Sequence, residues 1–211
     1  MNKTIIIGIS SKMGCGKDFI TEHYITPFLE HKLKLKTLQI SLADQIKINV
    51  MTKRGVSYED VFIKKNQHTR KLLQEEGTEL GRNVFGKDIW IQYYNNWIKI
   101  LQMRGVNAIT TCDIRFKNEL EWFKSQKNTF LIRIHAPKRN HQRLLQESNG
   151  KEDIYKLLGS HISECDLDDV QDDQFDYIIK NDPEDTLDLS NLYKMLSNIH
   201  INNYENIHNL V

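Results

Sequence analysis

The stretch Thr4-Ile5-Ile6-Ile7-Gly8-Ile9-Ser10-Ser11-Lys12-Met13-Gly14-Cys15-Gly16-Lys17-Asp18 decides the fold. Its first half is a β-branched run that reads as a strand, and its second half is a polar loop carrying two glycines. From Lys17 to Glu30, Phe19, Ile20, Tyr24, Phe28 and Leu29 recur at helical spacing, so the order is strand, loop, helix. Backbone N–H groups of such a loop, with a helix N-terminus behind them, converge on an anion. Against the pattern GxxxxGK[ST], Gly16 and Lys17 match, Ser11 stands at the first glycine position, and Asp18 stands where a hydroxyl residue normally binds magnesium. Candidates for holding the phosphates of ATP are therefore Lys12, Met13, Gly14, Cys15, Gly16, Lys17 and Asp18; the alternative is a glycine turn with a solvated lysine. A dinucleotide fingerprint fails on spacing, because the third glycine position after Gly14 and Gly16 is Phe19. Asp18 either holds Mg2+, directly or through water, or caps the first helical turn. Cys15 is expected to contribute its backbone N–H, with a thiol pKa lowered by the helix N-terminus.

Outward from this unit the alternation continues. Leu35–Leu42 reads as a short strand, Ala43–Met51 as a helix and Gly55–Tyr58 as a turn. Gln67–Arg82 and Asp88–Met103 are long helical candidates with no strand between them, which predicts a helical insertion over about 52–104. Val106–Cys112 and Thr129–His135 are strands rich in Val, Ile and Leu, as burial on both faces of a parallel sheet requires, with Phe116–Lys124 a helix between them. Lys138–Gly159 is polar and helical, Phe175–Ile179 a last strand and Glu184–Ser197 a closing helix. Five strands alternating with helices predict a three-layer α/β domain with a five-stranded parallel sheet. The acidic stretch Asp166–Asp176 reads as a solvated loop.

Composition narrows the function. The 211 residues carry 29 Lys and Arg against 28 Asp and Glu, a formal net charge of +1, so nothing drives the chain toward a nucleic-acid polymer or an anionic membrane. The three cysteines are odd in number and far apart, with no metal-ligand spacing to the eight histidines, as in a reducing compartment. The short apolar run at the N-terminus lacks the length of a signal peptide or membrane span, and the expected location is the cytoplasm.

In open parallel sheets ligands bind beyond the carboxyl ends of the strands. Strand Val106–Cys112 delivers Asp113, Ile114 and Arg115 there, a carboxylate and a guanidinium that suit a magnesium–phosphate site or pair with one another. Arg139 and Arg143, one helical face of the segment after Thr129–His135, are candidates for a lid over ATP at about 137–160, or else a solvated face. In the insertion, Arg70 and Arg82 are candidates for gripping an acceptor phosphate, with surface ion pairs as the alternative. Trp90, Tyr93, Tyr94 and Trp97 form an aromatic stripe suited to the core or, at Trp90, to an acceptor base. His161, Ser163 and Glu164 read as a helix end.

Several segments together resemble the deoxynucleoside monophosphate kinases of bacteriophages and other large DNA viruses. They are Gly16-Lys17-Asp18, Ser41-Leu42-Ala43-Asp44, Arg70-Lys71-Leu72-Leu73-Gln74 through Gly77-Thr78-Glu79-Leu80-Gly81-Arg82, Gly86-Lys87-Asp88-Ile89-Trp90, and Asp113-Ile114-Arg115-Phe116-Lys117-Asn118-Glu119, spread over residues 4 to 122. Gly16 to Glu22, Asp113 to Arg115 with Trp122-Phe123, and Ser163-Glu164-Cys165 also resemble the more distant animal-type phosphomevalonate kinases. The resemblance implies a P-loop NTPase of the nucleoside monophosphate kinase type. It implies transfer of the ATP γ-phosphoryl group to a deoxynucleoside 5′-monophosphate with Mg2+, giving the diphosphate in deoxynucleotide biosynthesis. In that reaction Lys17 and the loop amides would hold ATP, and Arg70, Arg82 and Arg115 the acceptor phosphate. Asp18 and Asp113 would stand at the metal, and Arg139 and Arg143 would close from the lid. The expected partners are these two small molecules alone, with a homodimer left open. A phosphomevalonate kinase and a nucleotide-regulated binding protein without turnover are the alternatives.

Overall fold

Ile5, Ile6, Ile7, Gly8 and Ile9 are buried on both faces, which only the middle of a sheet covered by helices on each side allows. They belong to β1 (Ile5–Ser11), the central strand of an all-parallel sheet of order β2-β3-β1-β4-β5. Its other strands are β2 (Thr37–Gln39), β3 (Ala108–Ile114), β4 (Thr129–His135) and β5 (Tyr177–Lys180). β1 lies between β3 and β4, with Ile7 level with Thr110 on one side and Phe130 on the other. The structure is a computed structural model describing residues 4–64 and 66–208, with side chains through Ile201.

Side chains alternate across the sheet and so sort the helices into two layers. Ile5, Ile7 and Ile9 join one core with Ile20, Ile25 and Leu29 of the helix over 17–32 and with Leu192 and Leu196 of the helix Ser190–His208. Gly8 points the other way. A Cβ there would meet Ile114, Leu131 and Phe123, the last from the helix Lys117–Ser125, which therefore covers the opposite face. The fold is thus a three-layer α/β fold around a five-stranded parallel sheet, as expected from the alternation of strands and helices.

Several boundaries differ from expectation: β3 runs to Ile114 and not Cys112, so Asp113 lies within the strand, Lys138–Gly159 divides into the helices Pro137–Ser148 and Glu152–Gly159, and two more differ for local reasons. β2 shrinks to Thr37–Gln39 because an edge strand pairs on one side only, here with Ala108, Ile109 and Thr110 of β3. The last helix starts at Ser190, not Glu184. Asp182 turns back through its N–H to Asp185, and the Asp188 carboxylate accepts the Ser190 N–H, as a helix start requires. No helix among the described residues is long and apolar enough to cross a membrane.

The chain divides into two compact units, one formed by the residues up to Gln39 and from Gly105 onward, the other by Ile40–Arg104. The second is helical, with Asp44–Arg54, Gln67–Gly77 continued by wider turns over Thr78–Arg82, and Ile89–Met103. An extra turn, Glu59–Ile63, follows the expected 55–58 turn because the Ser57 hydroxyl accepts the Asp60 N–H. Glu76 is buried in this unit, its carboxylate accepting from Asn49 at 2.8 Å and pairing with Lys53. Trp90 is 3% exposed and donates its indole N–H to Gly77 O at 2.8 Å. Its ring lies on Gly81, where an added Cβ would fall 2.3 Å from Cζ2.

Gly81→Ala therefore overpacks the helical unit, at a cost of about 1–3 kcal/mol. Thermal unfolding should show a lowered Tm; an unchanged Tm would mean that Trp90 has room to move.

Candidate active site

Because all five strands run the same way, their carboxyl ends share one edge. Ser10 is level with Ile114 of β3 and Ser11 with Ile134 of β4, so the residues following β1, β3 and β4 come side by side. The loop after Ser11 turns through Gly14 at φ 77° and Gly16 at φ 85°, conformations that side-chain-bearing residues rarely adopt. Space imposes the same choice. A Cβ at Gly14 would lie 2.4 Å from Cβ of Arg143, and one at Gly16 would lie 2.5 Å from Nδ2 of Asn181.

The surrounding elements hold the loop by its carbonyls. Asn140, on the helix Pro137–Ser148, donates to Met13 O at 2.8 Å, and Asn181, just after β5, donates to Cys15 O at 2.9 Å. Asp182 accepts the N–H groups of Lys138 and Arg139, satisfying the start of that helix with a carboxylate. Arg139 and Arg143 thus stand beside the loop on a helix fastened to it. Arg139 donates to Asn181 O, and Arg143 pairs with Glu147 at 2.5 Å.

Lys17 opens the helix after the loop and pairs with Asp18 at 2.7 Å; its side chain is 19% exposed, against 59% for that of Asp18. Behind them lies the buried Cys112, with its sulfur 3.2 Å from the Thr21 hydroxyl. Burial pushes the Cys112 thiol up to about 12, opposed by the Thr21 hydrogen bond, while the charges of Asp18 and Asp113 raise it and that of Lys17 lowers it. Lys17, Asp18 and Asp113 are thus close enough to act on one sulfur. Among the described residues no group of three or more His, Cys, Asp or Glu could hold a metal ion by itself. Mg2+ is ordinarily held by one or two carboxylates together with substrate phosphates, and Asp18 and Asp113 fit that pattern. Burial also pushes the Cys15 thiol up, against the expectation of a lowered value: the side chain is buried beside Ala136, and desolvation outweighs the helix end.

Arg115 pairs with Glu164 and also donates to Ser163 O, so its side-chain partners come from a segment read from sequence as a helix end. His161 does cap that short helix, accepting the Ser163 N–H. Glu164 does more, because its other oxygen accepts the Met13 N–H at 2.8 Å. Glu119, buried at 3%, accepts the N–H groups of Arg115 and Phe116 and fixes the turn after β3. From sequence Glu164 was read only as part of a helix end and Glu119 was given no role; the Asp113–Glu119 and Ser163–Cys165 segments were the available signals.

The acidic stretch is a largely exposed loop, as expected, but its carboxylates are paired. Asp168 pairs with Lys12 at 2.7 Å, Asp169 with Lys117, Asp172 with Arg133 and His135, and Asp176 accepts the Leu131 N–H. The hydrogen bond from His135 holds the Asp172 carboxyl below the usual carboxylate range, aided by Arg133. Cations gathered at the end of a parallel sheet thus find their counter-charges in this segment. A cavity of about 320 Å³ opens at this edge, lined among others by Ser11, Lys12, Arg115, His135, Asn140 and Glu164.

The remaining expected residues lie in the helical unit. Arg70 is half-buried on the helix Gln67–Gly77, and Arg82 donates to Lys87 O at 3.2 Å. Trp90, expected to meet an acceptor base, is instead core: both faces are covered, and its one donor is spent on Gly77.

Fold and site together give a three-layer α/β domain with a glycine-bearing strand–loop–helix unit and cations and carboxylates around the loop. No protein-family model matches the chain. It is similar to the phosphomevalonate kinase of Drosophila melanogaster, 24% identical over 188 residues that cover 85% of this chain and 89% of that protein. Among solved structures it is similar to shikimate kinase from Acinetobacter baumannii in complex with shikimate, at 13% identity, coverage of 96% of each chain and a TM-score of 0.46. It is also similar to shikimate kinase from Bacteroides thetaiotaomicron, at 17% identity, coverage of 92% of this chain and 97% of that one, and a TM-score of 0.42.

The buried thiols carry a pH signature. Cys112 keeps its proton in the folded protein to about pH 12, whereas the unfolded thiol ionises near 9.0. Its stabilising contribution is complete below about pH 9 and is lost as pH rises from 9 toward 12. Urea unfolding should therefore show stability falling over that window, with a shallower fall in Cys112→Ala. An equal slope in both proteins would rule the thiol out as its source.

Proposed function

We propose that the chain is an ATP-dependent small-molecule phosphotransferase whose acceptor group is a phosphate, and that a deoxynucleoside 5′-monophosphate is its acceptor. The observation that carries the reading is the loop itself: two left-handed glycines at a strand–helix junction, with Lys17 and Asp18 opening the helix. Around it stand Asp113, Arg115, Arg139 and Arg143. The choice of a nucleotide acceptor is supported by the resemblance of the Arg70–Arg82 and Gly86–Trp90 segments to deoxynucleoside monophosphate kinases. A second reading, phosphomevalonate as acceptor, is favoured by the similarity over 188 residues to the Drosophila phosphomevalonate kinase.

Phosphoryl transfer asks a protein to position two polyanions and to neutralise the charge that develops between them, so cations at fixed places matter more than a covalent nucleophile. The loop amides and the Lys17 ammonium bind the β- and γ-phosphates of ATP. Asp18 pairs with Lys17 at the start of the helix, and Asp18 and Asp113 are the carboxylates that would hold Mg2+, which would supply neutralisation of the phosphate charge. Arg115 holds the incoming phosphate beside the loop. Arg139 and Arg143 bring positive charge to the transferring oxygens and exclude water that would compete with the acceptor.

The deciding experiment couples ADP release to a panel of deoxynucleoside monophosphates, ribonucleoside monophosphates and phosphomevalonate. Turnover with at least one deoxynucleoside monophosphate is expected. Turnover with phosphomevalonate alone would select the second reading, and ATP binding without acceptor-dependent turnover would make the chain a nucleotide-binding regulator.

Two substitutions test the roles. Lys17→Ala deletes a cation from a site whose catalysis is electrostatic and should lower kcat by about 10²-fold or more with the fold intact by circular dichroism. A folded Lys17→Ala protein with parent turnover would remove the loop from the reaction. Asp18→Asn should shift the Mg2+ midpoint of turnover upward while leaving metal-free ATP binding near the parent value. If neither the midpoint nor the maximal rate moves, Asp18 serves only its own helix end.

A further inference from the structure

We propose that Glu164 is the positioning residue of this site, holding the Arg115 guanidinium and the phosphate loop in one fixed relation; the proposal rests on the reading of Arg115 as the phosphate-holding residue. The two oxygens of its carboxylate face different elements. One accepts Nη1 of Arg115, at the end of β3, and the other accepts the Met13 N–H in the loop after β1. The Glu164 side chain is 6% exposed, and a carboxylate so deeply buried is tolerable only when paired and fully hydrogen-bonded.

Everything around the pair is arranged to hold it still. Ser163 O accepts the same Arg115 nitrogen, and Glu119 accepts the Arg115 backbone N–H, so this arginine is fixed at both ends. The turn bearing Glu164 is fixed in its own way, by the His161 cap and by Asp166, which accepts the Lys117 N–H at 2.8 Å. A guanidinium carries five N–H donors in a rigid fork. With Nη1 spent on Glu164 and Ser163, the Nε and Nη2 donors of Arg115 have no partner among the described residues. The side chain keeps 21% of its surface exposed and lines the cavity at the loop. A carboxylate that competed with the incoming phosphate would engage the donors needed for it. Glu164 engages one edge of the fork and leaves the other free, as an orienting group does.

The test uses the full chain with Glu164→Gln and Glu164→Ala, and Lys17→Ala as a control for the phosphate loop itself. Kinetics are measured separately for ATP and for the acceptor, and guanidinium NMR of Arg115 reads its mobility without substrate. Glu164→Gln keeps a carbonyl for Met13 but loses the charge that holds Arg115. It should fold with a Tm near the parent value, leave the ATP KM nearly unchanged and lower kcat by about 10²-fold, the cost of misplacing a catalytic group by roughly 1 Å. Nη exchange at Arg115 should become faster. Parent kcat in Glu164→Gln would overturn the proposal, as would a loss that follows Tm and returns on cooling. So would a lower ATP KM or new acceptor-independent ATP hydrolysis, which would make the carboxylate a competitor of phosphate. If the parent protein transfers phosphate to no acceptor, the reading of the function fails by itself. The NMR arm then decides alone: unchanged Arg115 exchange in Glu164→Gln overturns the positioning role, and faster exchange upholds it.

Discussion

The phosphate loop is built on a space constraint that reaches well beyond it. Gly14 and Gly16 turn the chain in left-handed conformations, and the volume their missing side chains leave is filled by Arg143 and by Asn181. The helix Pro137–Ser148 and the end of β5 therefore pack directly on the loop, and from them Asn140 and Asn181 bind its carbonyls. A loop of this kind must present its N–H groups outward to bind an anion. Fastening its carbonyls from behind meets the same requirement from the other side.

Charge imposes the second constraint. Parallel strands deliver Lys12, Arg115, Lys117 and Arg133 to one region, with His135 beside them, and the four cations would repel one another without counter-charges. The segment from Glu164 to Asp172 supplies a carboxylate to each of them. Most of these pairs are exposed and individually weak, and their value lies in fixing the path of the segment. Glu164 differs because it is buried, and a buried carboxylate must keep its partners. The helical unit shows the same principle in Glu76, buried and held by Asn49 and Lys53.

Much of the fold was legible because its signals are local. β1, the loop and the first helix follow from a β-branched run, two glycines and helical spacing within thirty residues. β4 was read with its observed ends, Thr129 and His135. Edges were harder to read. β2 is cut short by having one neighbour, and the last helix is delayed by Asp182 and Asp188, whose side-chain bonds no periodicity reveals. Trp90 fits a stripe of aromatic residues equally well as core or as a ligand surface. Only the position of Gly77 O and Gly81 makes it core.

By itself the sequence determined the order of strands and helices, the parallel sheet that such an order demands, and the glycine-bearing loop between the first strand and helix, because each depends on neighbours a few residues apart. Tertiary structure alone decided which charges meet. Met13 and Glu164 are 151 positions apart in the chain, Lys12 and Asp168 156, and Arg115 and Glu164 49. Acidic residues in a run look alike in sequence, each as suited to solvent as to a partner. Which of them is buried, and against which cation, is set by how the carboxyl ends of β1, β3 and β4 are brought level, and that is a property of the sheet.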